Sequence, residues 1–466
     1  MANSLGLFPV LSEGDNDAPE RVSGAWWRAK GAKWVSALVR GAAHIEREFR
    51  GDPDKAFFLI EDSGFCLHTL DADRLEQLAD HGRGFCRSHG YTDAMLSVLQ
   101  VDLLEAFIEL RIRVDTSHEG KKATILALPV GSDASACRYY RMTLPYERVN
   151  AAGNVFVDTQ MDAVTLDDAL LYDALVIQRH PTRGLIELAR RAKCAGVKIV
   201  YEADDLMTEI PADNPASLPA TQIDLIKRAI GMADLVMVST EQLADAFGVR
   251  DKTVVTPNSL PLSLWQRARR LPDDDTVNIV WSGGSTHESD LAILDSIWEF
   301  LIGIPRVHLT FMGLVPNRLC VLSKLRGDPP QIVISKAFHG RVTYVPWTPI
   351  RFYPGVYREL RPDIVLAPMV DDRFSRCKSN LRVLESWALG VPVVASPSGP
   401  YNCINDGVDG FHCSGRNEWK VTLRMLIDGA QRRKDVGDAG RARVEAEYDI
   451  ARNYQRWEDA FAGLGK

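Results

Sequence analysis

The sequence lacks any closely spaced cysteine pair. Its eight cysteines are scattered along the chain with no C-x-x-C, which argues against a zinc ribbon and fits free thiols in a reducing compartment. It lacks a long apolar run: no stretch approaches the roughly 18 residues that a membrane span needs. No secretory leader is expected from MANSLGLFPVLSEGDND, which has neither a basic start nor an extended apolar core. It lacks a positive balance. The formal net charge is −7, which excludes a general polyanion binder while leaving room for a local basic patch. Asp204–Asp205 and Asp371–Asp372 are adjacent pairs rather than D-x-D arrangements, and no cluster has metal-ligand spacing, so metal-independent chemistry with no cofactor is expected. These absences together predict a cytoplasmic protein without an integral membrane segment.

What is present is a rhythm. Residues 1–120 read as a mostly helical N-terminal extension, with Trp34, Leu38, Ala42, Ile45 and Phe49 at near-helical spacing and a second amphipathic helix over 94–112. From residue 123 the pattern changes. ATILALPV, DALVIQ, VKIVYEADD, DLVMVST and KTVVTPN are short apolar strands separated by helical stretches, which means parallel βαβ units. The polar, proline-flanked segment PLSLWQRARRLPDDD (261–275) marks a boundary. The rhythm restarts with VNIVWS, VHLTFMG, RVTYVPW, DIVLAPM and VPVVAS. Residues 121–262 and 276–445 are therefore expected to form two Rossmann-like α/β domains, and 446–466 a C-terminal helix crossing back to the first.

One stretch carries most of the chemistry. In CKSNLRVLESWALG (377–390), Ser379 or Asn380 is placed to cap a helix, and Leu381, Leu384 and Ala388 are spaced to face a sheet. Lys378, Arg382 and Glu385 fall at i, i+4 and i+7, on a different stripe near the helix start. Bare N–H groups and cations suit a diphosphate, and a carboxylate one to two turns further on suits a ribose diol. An exposed Arg382–Glu385 pair is the alternative reading. A glycine turn, Gly283–Gly284, follows the first strand of the same expected domain. It could admit a phosphate or serve only as a tight βα turn.

These motifs resemble the donor site of the GT-B glycosyltransferases, specifically the large retaining "group 1" (family 4-like) group, in a variant with a KS-x-x-R-x-x-E pattern. The resemblance runs through RPDIVLAPMVDD, the stretch above, GVPVVAS and INDGVDGFHC. In the N-terminal half it takes in ACRYYRMTLP, VIQRHPT, KIVYEADDL, ADLVMVST and VVTPN. It covers about residues 123–466 and implies two Rossmann-like domains facing a cleft. It also implies transfer of a hexosyl or pentosyl group from a nucleotide-diphosphate sugar, a UDP-sugar first among them, to a glycan, lipid-linked or other hydroxyl acceptor with retention. Glu385 would hold the ribose. Lys378, Ser379, Asn380, Leu381 and Arg382, with Gly283, Gly284 and Ser285, would hold the diphosphate. The sequence departs from the commoner pattern twice. Cys377 stands eight positions before Glu385, where a glutamate is usual, and the segment after the first C-terminal strand carries His287 but no arginine.

The first half is expected to supply the acceptor side. Asp204 occupies a position where the family often has a catalytic histidine, and it could orient a hydroxyl, as could Asp205. Helix capping is the alternative for both. His180 is a further catalytic candidate. Arg141, Arg179 and Glu202 are candidate acceptor ligands, or simply partners of their neighbours. Arg21, Arg28, Lys30, Lys33, Arg40, Arg47 and Arg50, interleaved with Trp26, Trp27 and Trp34, raise a nucleic-acid acceptor of the hydroxymethylated-base kind as one alternative. A nucleotide-sugar-binding protein without turnover is another, because Cys377 replaces a carboxylate.

Overall fold

Short apolar runs between turn signals become strands buried on both faces, which requires helices on each side of the sheet. A computed structural model describes residues 120–130, 135–159, 164–268, 275–323 and 331–465. The expected N-terminal helices and the basic tryptophan-rich stretch lie outside the described residues.

In β1 (Ala123–Leu128) all but Leu128 are buried. Beside it lie β2 (Val155–Thr159), β3 (Ala174–Gln178), β4 (Lys198–Ala203), β5 (Leu235–Val238) and β6 (Thr253–Val255), in the order β2-β1-β3-β4-β5-β6. Every pairing is parallel. Residues 136–152 form helix α1, with a π-helical turn at Tyr139–Thr143. Helices α2 (Arg183–Cys194), α3 (Ala220–Met232) and α4 (Glu241–Phe247) follow β3, β4 and β5. Local chemistry sets their ends. The Thr182 hydroxyl caps α2, the Thr240 hydroxyl caps α4, and Gly248 ends α4 at a left-handed φ of 68°.

The second sheet is built from β7 (Val277–Ser282), β8 (Val307–Met312), β11 (Val342–Val345), β12 (Ile364–Ala367), β13 (Val393–Ala395) and β14 (Phe411–His412), in the order β11-β8-β7-β12-β13-β14, again all parallel. A small antiparallel pair, β9 (Cys320–Ser323) and β10 (Gln331–Ile334), lies outside it. Helix α5 (Glu288–Ala292) follows β7, α6 (Tyr353–Glu359) follows β11, and α7 (Arg373–Arg376) and α8 (Leu381–Leu389) follow β12. The architecture is α/β, with two six-stranded parallel sheets.

Chain order reverses once in each sheet, between β1 and β3 and between β7 and β12. Open α/β sheets bind ligands in the crevice at the carboxyl ends of such strands. Arg179 and His180 leave β3 at the first of these points, and Gly283–Gly284 leaves β7 at the second.

The two halves share a core. After α9 (Ala430–Glu447) the chain bridges to the first half, where Leu260 N–H bonds Tyr448 O at 2.9 Å and Ile450 N–H bonds Leu260 O at 3.1 Å. Helix α10 (Gln455–Ala462) then buries Trp457 and Phe461 completely, with the Phe461 ring 5.6 Å from that of Tyr146. Burial of the Phe461 side chain alone stabilises the fold by about 1.5–3 kcal/mol.

Among the elements not legible beforehand, two bear on the first half. NVFVDT carries polar residues, yet it forms edge strand β2. Only Val155 and Val157 are buried, and the Asn150 amide exchanges two 2.8 Å hydrogen bonds with Val157 along the open edge. ACRYYRMTLP folds as a helix whose π-turn aims Tyr140 and Arg141 inward, both fully or nearly fully buried.

Candidate active site

The glycine turn is shaped by what it cannot carry. A methyl group on Gly283 would stand 2.7 Å from the Trp281 ring and 3.1 Å from the Arg382 guanidinium. Gly313, at φ +92°, packs so closely that a methyl there would lie 2.5 Å from Gly283 O. Gly284 faces open space. Ser285 begins the tight turn Ser285–His287, whose last N–H bonds Gly284 O at 3.1 Å.

The start of α8 comes to the same crevice. Asn380 occupies the N-cap position, but its side chain does not cap the helix; its amide reaches Cys403 Sγ at 3.5 Å. The amino end is therefore left without a side-chain cap, an arrangement that favours an anion. Lys378, Ser379, Asn380 and Leu381 are half-buried at its rim. The Lys378 ammonium lies 4.9 Å from the Phe374 ring centroid. Arg382 is buried over the Trp281 ring at 5.5 Å and donates to the Tyr401 hydroxyl at 3.3 Å. The alternative of an exposed Arg382–Glu385 pair is excluded by burial, since the two are 9 % and 7 % exposed.

Glu385 accepts a hydrogen bond from Tyr353 Oη at 3.2 Å and a longer one, 3.4 Å, from Tyr140 Oη of the first half. The same Tyr353 Oη lies 3.0 Å from Ser282 Oγ, whose hydroxyl can donate to it. Burial pushes the Glu385 carboxyl up to about 7, against the pull of Arg382 and the two tyrosines. A carboxylate poised in this way, among donors, is suited to a diol.

On the opposing face, Arg179 is the organising residue. Its backbone has φ 51°, a left-handed conformation uncommon for a residue with a side chain. Arg179 N–H bonds Glu202 O at 2.9 Å, and Tyr201 Oη bonds Arg179 O at 3.0 Å. Its guanidinium spans both aspartates, at 3.2 Å from Asp204 Oδ1 and 3.2 Å from Asp205 Oδ2. Cys137 Sγ lies 3.3 Å from the same Asp204 oxygen. Burial, then the adjacent Asp204, raises the Asp205 carboxyl. His180 Nε2 is buried and has no hydrogen-bond partner among the described residues. Burial and Arg179 lower the His180 imidazole, which keeps it neutral at physiological pH.

Arg141 and Glu202 do not face the crevice. They pair with each other at 2.6 Å, both with fully buried side chains. Arg141 also binds Thr256 and Asn258 and lies 5.3 Å from the Trp457 ring, while Gln178 donates to the second Glu202 oxygen at 2.9 Å. A saturated buried pair holds β4 and α1 in place and presents no free atom to an acceptor. Cys377 is likewise turned away. It packs with Phe374 against Tyr201, Leu243 and Ala244 of the first half, its thiol faces Gln242 O at 3.6 Å, and its carbonyl accepts from Thr240 Oγ1 at 2.9 Å.

Sequence reasoning missed Tyr140, Tyr353, Tyr401 and the His287–Asp290 pair. The pair had a visible signal, two polar residues three apart just past a glycine turn. The tyrosines had none, because each is brought in by a different element. Among the described residues no group of His, Cys, Asp and Glu could hold a metal ion, and no helix is long and apolar enough to cross a membrane.

No protein-family model matches the chain, and no curated protein matches it. Solved structures do. Anabaena HepE in complex with UDP and glucose is 14 % identical with TM-score 0.52, covering 72 % of this chain and 98 % of its own. Its complex with UDP-glucose gives TM-score 0.52 and 14 % identity, over 73 % and 100 %. Sucrose-phosphate synthase from Thermosynechococcus elongatus is 16 % identical with TM-score 0.53, over 73 % and 98 %. At such identities the likeness shows the fold: this chain has the two-sheet GT-B architecture that these glycosyltransferases share.

Proposed function

We propose that the protein is a glycosyltransferase that moves a hexosyl or pentosyl group from a nucleotide-diphosphate sugar to an acceptor hydroxyl, with retention and without a metal ion. One observation carries the reading. At the β7/β12 switch point, a glycine turn open on one side, a helix start without a side-chain cap, two cations and a buried carboxylate converge. Gly283, Gly284, Ser285 and the residues from Lys378 to Arg382 then surround the diphosphate, and Glu385 takes the ribose hydroxyls in place of the tyrosines. Positive charge from Lys378 and Arg382 stabilises the departing diphosphate. UDP is the first nucleotide to test, because HepE was solved with UDP and UDP-glucose.

Acceptor binding falls to the carboxyl edge of the first sheet. His180, Asp204 and Asp205 stand there to orient a hydroxyl of a glycan or lipid-linked acceptor, with Arg179 fixing both aspartates. Residues 121–262 act as the acceptor domain and 276–445 as the donor domain, with the final helix crossing between them.

The test is a thermal-shift screen against UDP-, GDP-, ADP- and TDP-sugars, followed by donor hydrolysis and transfer assays with and without EDTA. One nucleotide sugar should raise the melting temperature by mass action. Arg382→Ala should weaken its binding about 10- to 100-fold, the loss of a charge-assisted contact of about 1.5–3 kcal/mol. Unaltered binding in that variant would overturn the site assignment, and binding without transfer to any acceptor would reduce the protein to a sensor.

A further inference from the structure

Beside the glycine turn, His287 and Asp290 form a pair for which the reading above has no role. His287 Nδ1 lies 2.7 Å from Asp290 Oδ2. Asp290 is 4 % exposed, and its other oxygen accepts Val370 N–H at 2.8 Å, from the loop after β12. The pair therefore ties the carboxyl end of β7 to that of β12, across the switch point. Burial works against charge on Asp290, but its bonds to His287 and Val370 outweigh this and hold the carboxyl below its usual range. An ionised Asp290 fixes the tautomer: the proton sits on Nδ1, and Nε2 carries a lone pair. That nitrogen makes no hydrogen bond among the described residues.

The charged groups that act on this ring are Asp290 from its own element and, across the crevice, Lys378 and Arg382. Burial first, then those two cations, push His287 down to about 4 despite Asp290, so the ring is neutral in the unliganded protein. A neutral ring with a bare Nε2 cannot donate to a phosphate oxygen. An arriving diphosphate reverses the balance, because it brings at least two negative charges against the cations that suppress the imidazolium. The proton affinity of His287 must rise about 1,000-fold, to half-protonation near pH 7, for the ring to be almost fully charged at pH 6. Charges at contact distance in a shielded site act on that scale.

We propose that the His287–Asp290 pair is a proton-coupled diphosphate ligand: His287 takes up a proton as the donor binds and supplies a third positive charge beside Lys378 and Arg382. This rests on the donor-site reading and adds a consequence of its own, a binding step that consumes a proton. Asp290 is a positioning residue that holds the ring and its tautomer.

The experiment is titration calorimetry with UDP-glucose, GDP-mannose, ADP-glucose and TDP-glucose at pH 6 and pH 8, in buffers of different ionisation enthalpy. Diphosphate diesters are the right probes because they lack a terminal phosphate, whose own ionisation falls near pH 6. Glu385 can release a proton on ribose binding, so the quantity read is the difference between wild type and variant. Wild type should take up close to one proton more than His287→Gln at pH 6. Its affinity should also rise relative to that variant from pH 8 to pH 6, by up to about tenfold. His287→Lys, with a permanent charge, should restore binding and lose the proton uptake. Equal proton counts in wild type and His287→Gln, with the probe bound, would overturn this inference alone. If wild-type protein binds none of the four, the donor reading falls and this inference with it.

Discussion

Glu385→Gln tests whether the buried carboxylate is held at a cost to stability. The wild-type group moves from an ordinary 4.5 to about 7 in the folded chain, a roughly 300-fold rise in proton affinity, equivalent to about 3 kcal/mol. The sign follows from linkage. Between pH 4.5 and 7 the native protein holds a proton that the unfolded chain has lost, so stability falls as pH rises through that window and the full cost is present above it. Glutamine keeps the shape and accepts from Tyr140 and Tyr353 without ever ionising. The variant should match wild type near pH 5 and exceed it at pH 8 by up to about 3 kcal/mol, which is roughly 5–10 °C for domains of this size. Thermal melts at pH 5, 6, 7 and 8 read the difference directly. Saturating UDP-glucose should narrow the gap at pH 8, because ribose hydroxyls donate to the ionised wild-type group and not equally to an amide. If the difference in melting temperature is the same at pH 5 and pH 8, or the variant is the less stable at pH 8, the burial argument is refuted.

Other substitutions probe the crevice from different sides. Gly313→Ala places a methyl 2.5 Å from Gly283 O at φ +92° and should cost about 1–3 kcal/mol, with donor affinity lost beyond what a melting curve of the empty protein accounts for. Cys377→Glu, which restores the commoner carboxylate, should destabilise the protein by about 3–5 kcal/mol, because the charge would be buried without a partner against Gln242 O. Cys377→Ala should leave donor binding unchanged, and a rise in transfer rate for Cys377→Glu would show that the position reaches the sugar after all.

The strands from β1 to β13 that line the two sheets were legible wherever they were continuous apolar runs, because a strand buried on both faces has no choice of composition. Where burial is partial the signal fails: β2 is held by Asn150 at an edge, and β14 is two residues long. The convergence of Lys378, Arg382 and Glu385 was readable in one sequence segment because helix spacing alone brings them to a common end. Nothing local could announce Tyr140, which lies 245 residues from the carboxylate it bonds. Arg141 and Glu202 looked like free polar residues because their partners, Thr256, Asn258 and Gln178, arrive from separate strands and loops. Charge in a sequence does not declare whether it will be matched inside the fold, and only topology decides that.

The junction between the halves bears on how a donor could enter. Among the described residues four hydrogen bonds cross it near the site: Tyr140 to Glu385 at 3.4 Å, Thr240 to the Cys377 carbonyl at 2.9 Å, the Cys377 thiol to the Gln242 carbonyl at 3.6 Å and Asn214 to the Thr286 carbonyl at 3.2 Å. Each contributes about 1 kcal/mol net. Only the first lies on the carboxylate that the ribose would take, so a diol that supplies two donors to Glu385 replaces more than it removes. The Thr240 contact is backed by the apolar packing of Phe374 and Cys377, which a single ligand would not displace. Opening for the donor is therefore expected at the Tyr140 side, with the Cys377 side acting as the hinge. This gives the cysteine a physical role that a glutamate could not fill, because a hinge packed against Leu243 and Ala244 tolerates a thiol and excludes a charge.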